Sequence, residues 1–190
     1  MQATGRGHVR IIAGSLRGSK LPVAALEGLR PTSDRARETL FNWLQNDIAG
    51  RKALDLFAGS GALGFEAVSR GAGQVVMVER NPVAFAGLLE SRNRLKTENV
   101  ELVNADALAW LPGQHGQCFD LIFLDPPFAG DIWHTLWPLL APVLAETATL
   151  YIELPVDRER AWPTGISQLK QSKSRQSQQL LLQWQKPVIG

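Results

Sequence analysis

From Ala53 onward the chain alternates short apolar runs with stretches of helical periodicity, and no other feature restricts its fold as much. Strands are expected at 53–57, 74–78, 100–103, 121–124 and 148–153, and helices at about 62–70, 82–96, 105–111 and 131–145. Each strand–helix–strand unit closes as a right-handed crossover, so the repeat predicts a doubly wound, mostly parallel α/β sheet. A strand at 179–185 and a weaker one at about 166–172 bring the expected sheet to seven strands. The Ser/Gln/Lys-rich stretch 167–179 reads equally as a polar hairpin or a loop. Upstream, Thr32 or Ser33 is placed to cap a helix over about 34–46, whose Ala36, Leu40, Trp43 and Leu44 recur at helical spacing. Residues 1–30 intersperse short apolar runs with Gly and basic residues, which predicts a small hairpin or basic arm ahead of a main domain over 31–190.

A chain of 190 residues suffices for one domain with its own core, burying roughly 70% of its unfolded surface. Its 45% hydrophobic and 20% charged content excludes collagen-like, coiled-coil and disordered classes. No apolar run approaches the roughly 18–20 residues of a membrane span, and Met1–Arg10 contains no apolar signal core, so a cytoplasmic protein with no membrane contact is expected. The single cysteine, Cys118, allows no intrachain disulfide, in keeping with a reducing compartment, and reads as a small core residue. The net charge of +2 conceals a division. Residues 1–37 hold seven Lys or Arg against two acids, residues 158–190 hold six against one, and the middle is left at −8. Basic ends around an acidic body suit contact with a polyanion, or are two solvated charged segments; charge alone does not choose between these.

The run Leu54-Asp55-Leu56-Phe57-Ala58-Gly59-Ser60-Gly61-Ala62-Leu63-Gly64 places three glycines in the G-x-G-x-x-G spacing directly after the first strand of the alternation. Small residues there let the backbone turn tightly and bring helix N–H groups up to a ligand. Glu79, twenty residues beyond Gly59 at the end of the next strand, suits the two hydroxyls of a ribose. A nicotinamide dinucleotide shares this fingerprint, but Asp55, inside the strand, would repel a pyrophosphate and attract a cationic amino-acid end. That favours S-adenosylmethionine, with Asp55, Phe57, Gly59, Gly61, Gly64 and Glu79 as binding residues. Asp106, after the third strand, reads either as the acceptor for an adenine amine or as a helix N-cap.

At the carboxyl end of the fourth strand stands Asp125-Pro126-Pro127-Phe128. The prolines fix the backbone and donate no hydrogen bonds, so the Asp125 carboxylate and the Pro126 carbonyl can converge on one NH2 group while Phe128 stacks on the ring that bears it. With the glycine loop, this motif resembles the Rossmann-like, S-adenosylmethionine-dependent amino-methyltransferases. Three further segments narrow the resemblance to the bacterial RsmD type, over residues 8 to about 155: Arg10-Ile-Ile-Ala-Gly14, Leu29-Arg-Pro-Thr-Ser-Asp-Arg-Ala-Arg-Glu-Thr-Leu-Phe-Asn-Trp-Leu44, and Gly61-Ala-Leu-Gly-Phe-Glu-Ala-Val-Ser-Arg-Gly-Ala72. The resemblance implies methylation of guanine N2, at guanine 966 of 16S ribosomal RNA, in small ribosomal subunits already folded with their proteins. The residues themselves leave adenine N6 in RNA or DNA, and a glutamine amide, open as targets.

On this reading neither a metal nor a covalent intermediate is needed, and His8, His115, His134 and Cys118 have no ligand spacing. Asp125 and Pro126 would hold the amine so that its lone pair faces the methyl group, and the released proton goes to Asp125 or to solvent. The strand-end acids argue against a non-enzymatic RNA-binding module. With no room for a recognition domain, phosphate contacts are expected from Arg6, Arg10, Arg17, Lys20, Arg30, Arg35 and Arg37. Most of the six tryptophans are expected in the core, Trp133 being the exception, close enough after Phe128 to stack on a base. A monomer is the default expectation.

Overall fold

The computed structural model describes residues 7–24, 33–126, 132–156, 158 and 160–187. A short hairpin of β1 (His8–Arg10) and β2 (Lys20–Pro22) precedes α1 (Asp34–Trp43), which Ser33 caps by accepting from the Ala36 N–H at 3.2 Å. The chain then alternates: β3 (Lys52–Asp55), α2 (Ala62–Ser69), β4 (Gln74–Val78), α3 (Pro82–Leu95), β5 (Val100–Val103), α4 (Ala107–Trp110), β6 (Phe119–Leu124), α5 (Trp133–Leu140) and β7 (Leu144–Pro155). Two strands, β8 (Ile166–Lys173) and β9 (Ser177–Gln185), finish it.

The seven later strands form one sheet in the order β5-β4-β3-β6-β7-β9-β8, with β3 to β7 parallel and β9 antiparallel to both neighbours. This is the expected doubly wound α/β architecture. The parallel strands read as nearly continuous apolar runs because both faces are covered. On one face Leu40, Phe41, Phe65 and Leu88 pack with Phe123 and Tyr151; on the other Leu111, Trp133, Leu136 and Leu140 pack with Leu54, Ile122 and Leu150.

Three features depart from what the residues suggested, and a fourth decides between two readings they left open. The helix expected over 131–145 ends at Leu140, passes through a 3-10 turn at Ala141–Val143, and becomes β7 at Leu144. Pro138 and Pro142, which lack an N–H, thin the hydrogen bonding there, and β9 rewards an extended chain instead along a register running from Thr147↔Gln185 to Pro155↔Ser177. Likewise the helix expected over 105–111 is only Ala107–Trp110, tightening into a 3-10 turn at Leu111–Gln114. Cys118 is exposed, not core: it lies in the approach to β6, one residue before the first buried position, Phe119. The polar 167–179 stretch is a hairpin, its turn braced by Ser174, whose Oγ accepts from the Ser177 N–H at 2.9 Å.

The N-terminal hairpin shares the core of the sheet through Val9, Ile11 and Leu21. Its turn is pressed onto α2: the Ser15 N–H donates to the Ser69 carbonyl at 2.8 Å and the Leu16 N–H to Ser69 Oγ at 2.9 Å. Gly14 sits at φ +81, and a Cβ there would lie 1.8 Å from the Ser69 carbonyl oxygen, so only glycine fits. Among the described residues no helix is long and apolar enough to cross a membrane.

Candidate active site

β3 delivers Asp55 to the start of the glycine loop. Gly61, at φ +75, caps α2, and a Cβ on it would lie 2.6 Å from Leu88 and 2.7 Å from Phe65. At Gly64 a Cβ would lie 2.5 Å from Met77, so this glycine sets how closely α2 packs on β4. Asp55 is 2% exposed, and its Oδ2 accepts from the Gly64 N–H at 2.9 Å. Burial raises its carboxyl pKa, the Gly64 bond pulls it back, and the nearby Glu79 raises it again, to about 7.

Glu79, just past β4, is tied down by both oxygens. Oε2 accepts from the Gly59 N–H at 2.8 Å and Oε1 from the Asn81 N–H at 2.7 Å, while Asn104 donates to its backbone carbonyl at 2.7 Å. Each carboxylate oxygen retains a second lone pair for a hydroxyl donor. Of the two roles open to Asp106, the structure realises the cap: Oδ1 accepts from the Leu108 and Ala109 N–H groups at 3.0 and 3.2 Å, and Oδ2 lies 3.9 Å from Arg80. Two acids crowded at a glycine-lined turn, one of them raised to about 7 by burial and by its neighbour, are chemically suited to a ligand carrying hydroxyls and positive charge. This donor set fits S-adenosylmethionine.

Asp125 follows Leu124, the last residue of β6, and is half-buried; Pro126 is buried, and Pro127 and Phe128 lie outside the described residues. Asp55 pairs with Phe123 across the sheet, so Asp125, two residues on, shares Asp55's face and strand end. The reading of the residues alone missed two neighbours. The Tyr151 hydroxyl donates to Glu153 Oε2 at 3.3 Å, and its pKa is pushed well above the usual range by burial, then by the charges of Glu153 and Asp125. A signal was present: Glu153 is a charged residue inside the apolar run of β7, as Asp55 is in β3.

The expected phosphate contacts divide. Arg10, Arg17, Lys20 and Arg35 are exposed, and Arg6 and Arg30 lie outside the described residues. Arg37 is a correction, being wholly buried. Its Nη1 donates to the Arg10 carbonyl at 2.9 Å and its Nη2 to Asp34 at 2.7 Å, with Glu66 at 3.9 Å. Such a guanidinium braces the hairpin and reaches no phosphate. Trp133 is a second correction: it is 4% exposed, 5.9 Å from the Trp137 ring and covered by Arg160 at 5.5 Å, so it offers no surface to a base.

Strand order, glycine loop and strand-end acids on one sheet face define a Rossmann-like methyltransferase. The profile of the family described as Conserved hypothetical protein 95 matches residues 9–184. The chain is 43% identical to Ribosomal RNA small subunit methyltransferase D of Escherichia coli (strain K12) over 156 residues, covering 81% of this chain and 78% of that one. It is 43% identical over 171 residues to the protein of the same name from Haemophilus influenzae, covering 87% and 89%. The solved structure of yhhF from Escherichia coli superposes with a TM-score of 0.86 at 39% identity, over 95% of this chain and 100% of that one. The chain belongs to the ribosomal RNA small subunit methyltransferase D family.

Proposed function

We propose that the protein transfers a methyl group to the exocyclic N2 of a guanine in 16S ribosomal RNA, guanine 966 by family resemblance, within the assembled small subunit. The observation that carries this reading is the shared face: Asp125 and Pro126 stand at the same strand ends as Asp55, so an amine acceptor adjoins the cofactor loop. The relatives' name, small-subunit ribosomal RNA methyltransferase, supports the class of substrate.

Asp55, Glu79, Gly59, Gly61 and Gly64, with Phe57 and the exposed side of Asp106, hold S-adenosylmethionine, which supplies a methyl group on a sulfonium that departs readily. A guanine amine attacks poorly because its lone pair is delocalised into the ring. Asp125 and the Pro126 carbonyl, accepting its two hydrogens, favour a pyramidal nitrogen with the lone pair turned to the cofactor side. Asp125 then stands beside the proton that the amine loses. Arg6, Arg10, Arg17, Lys20, Arg30 and Arg35 grip phosphates while the target base leaves its stack.

The test is methyl transfer from radiolabelled S-adenosylmethionine to small subunits lacking the modification, to protein-free 16S RNA and to DNA, with the labelled base identified after digestion. N2-methylguanine, strongest on subunits, is expected; label in adenine, or on DNA alone, would overturn the reading. Asp125→Ala is expected to bind cofactor normally and to lose about 10²-fold or more in turnover.

A further inference from the structure

Register carries the sheet face of Asp55 across to β9. Asp55 pairs with Phe123, Phe123 with Tyr151, and Tyr151 with Leu181, so these four side chains share one face. One step nearer the active-site end on that face come Asp125, Glu153 and Gln179. Leu124 pairs with Ile152, which places Asp125 and Glu153 level, and Glu153 pairs with Gln179. Glu153 and Gln179 stand on adjacent strands roughly 4.8 Å apart, and Asp125 directly follows the strand on the other side of β7. Glu153 is 9% exposed and Gln179 6%. A carboxylate held this far from water inside an apolar strand is costly unless something donates to it. Tyr151 supplies a donor to Oε2 at 3.3 Å.

We propose that Glu153 selects guanine: its Oε1 accepts the N1–H of the base whose N2 amine Asp125 holds, and the Gln179 amide donates to O6. This rests on the guanine-N2 reading above and extends it from the reacting amine to the base that bears it. The order of the row is the order of the base edge. Guanine presents N2–H, N1–H and O6, two donors and an acceptor, against the carboxylate, carboxylate and amide of Asp125, Glu153 and Gln179. Adenine, whose amine neighbours an N1 lone pair, would set that lone pair against the Glu153 carboxylate. Tyr151 is a positioning residue, acting through Glu153.

The test uses small subunits reconstituted with 16S RNA carrying either guanine or 2-aminopurine at the target position. Both bases have the N2 amine, but 2-aminopurine has a lone pair at N1 and no O6. Wild-type enzyme is expected to favour guanine in kcat/KM by on the order of 10²-fold or more, because a site built around a donor leaves its own polar group unpaired without it. Glu153→Gln is near-isosteric and can donate to the N1 of 2-aminopurine, so the preference is expected to fall at least about tenfold while cofactor affinity holds. Tyr151→Phe, which frees the carboxylate without changing its charge, is expected to lower the same ratio and gives a second route should Glu153→Gln fold poorly. A ratio unchanged in both variants, or wild-type enzyme that methylates both bases equally at N2, would overturn the role of Glu153 and leave the N2 reading intact. Wild-type label in adenine would instead overturn the N2 reading.

Discussion

Asp55 and Glu66 are both buried acids, one before the glycine loop and one on the helix that follows it, yet they are satisfied in opposite ways. Glu66 Oε2 accepts from the Ile12 N–H at 2.7 Å, and Oε1 from the Ala13 N–H at 3.1 Å and from Arg70 at 2.8 Å, with buried Arg37 3.9 Å away. Asp55 accepts the Gly64 N–H and faces a second acid, Glu79, instead of a cation. Burial is common to the two; the supply of donors and positive charge is not. The saturated acid pins the hairpin to α2, and the under-satisfied one is left at the glycine loop with a raised pKa. A buried acid short of donors inside an apolar strand is the pattern that also distinguishes Glu153.

Breaking the saturated acid should have the largest effect. Glu66→Leu leaves two backbone N–H groups without acceptors and Arg37 without its buried countercharge, and is expected to destabilise the fold by about 3–5 kcal/mol in denaturant titrations. A loss below about 1 kcal/mol would show that the hairpin is held by its apolar contacts alone.

Asp55→Asn should move stability in the other direction. The carboxyl is pushed up to about 7 in the folded protein from 3.8 when unfolded, so the native state holds this proton more tightly. The wild-type site therefore costs nothing at acidic pH and loses stability as pH rises through 4 to 7. Removing the charge should raise the unfolding free energy at pH 8 by up to roughly 4 kcal/mol in ligand-free protein, with the gain vanishing near pH 4. The same variant should lose cofactor binding. In wild-type protein, calorimetry should show affinity rising with pH up to about 7 and then levelling, with proton release below that point, since a cationic ligand favours the ionised acid.

The smallest single effects belong to the exposed bases. Replacing Arg10, Arg17, Lys20 or Arg35 singly by Ala should lower the slope of log affinity for RNA against log salt by about 1 each, leaving Tm near wild type. Arg37→Ala should do the reverse, lowering Tm without touching the slope. Deleting residues 1–20 is no test of the arm, because Val9 and Ile11 would leave the core with it.

Much of the site was legible because its signals are local. The strand–turn–helix grammar around Gly59, Gly61 and Gly64, the acid inside the strand at Asp55, and the proline-stiffened acceptor at Asp125 are each written within a dozen residues. Asp106 was legible only as a choice between two roles; the local helix start claims Oδ1 for the cap and leaves the rest of the side chain exposed. Trp133 and Arg37 misled for a common reason: a long side chain near a functional motif turns inward or outward according to what packs over it, and α5's neighbours and the hairpin lie elsewhere in the chain.

The sequence by itself determined the layered α/β class, the glycine loop and the acid that follows β6, because periodicity and short motifs act over a few residues. Only the tertiary structure decided that Glu153 and Gln179 stand in line with Asp125, and that a hairpin from the N-terminus completes the core. Those placements depend on strand order and register, and a slip of one residue in β7 or β9 would turn the same side chains to the opposite face of the sheet.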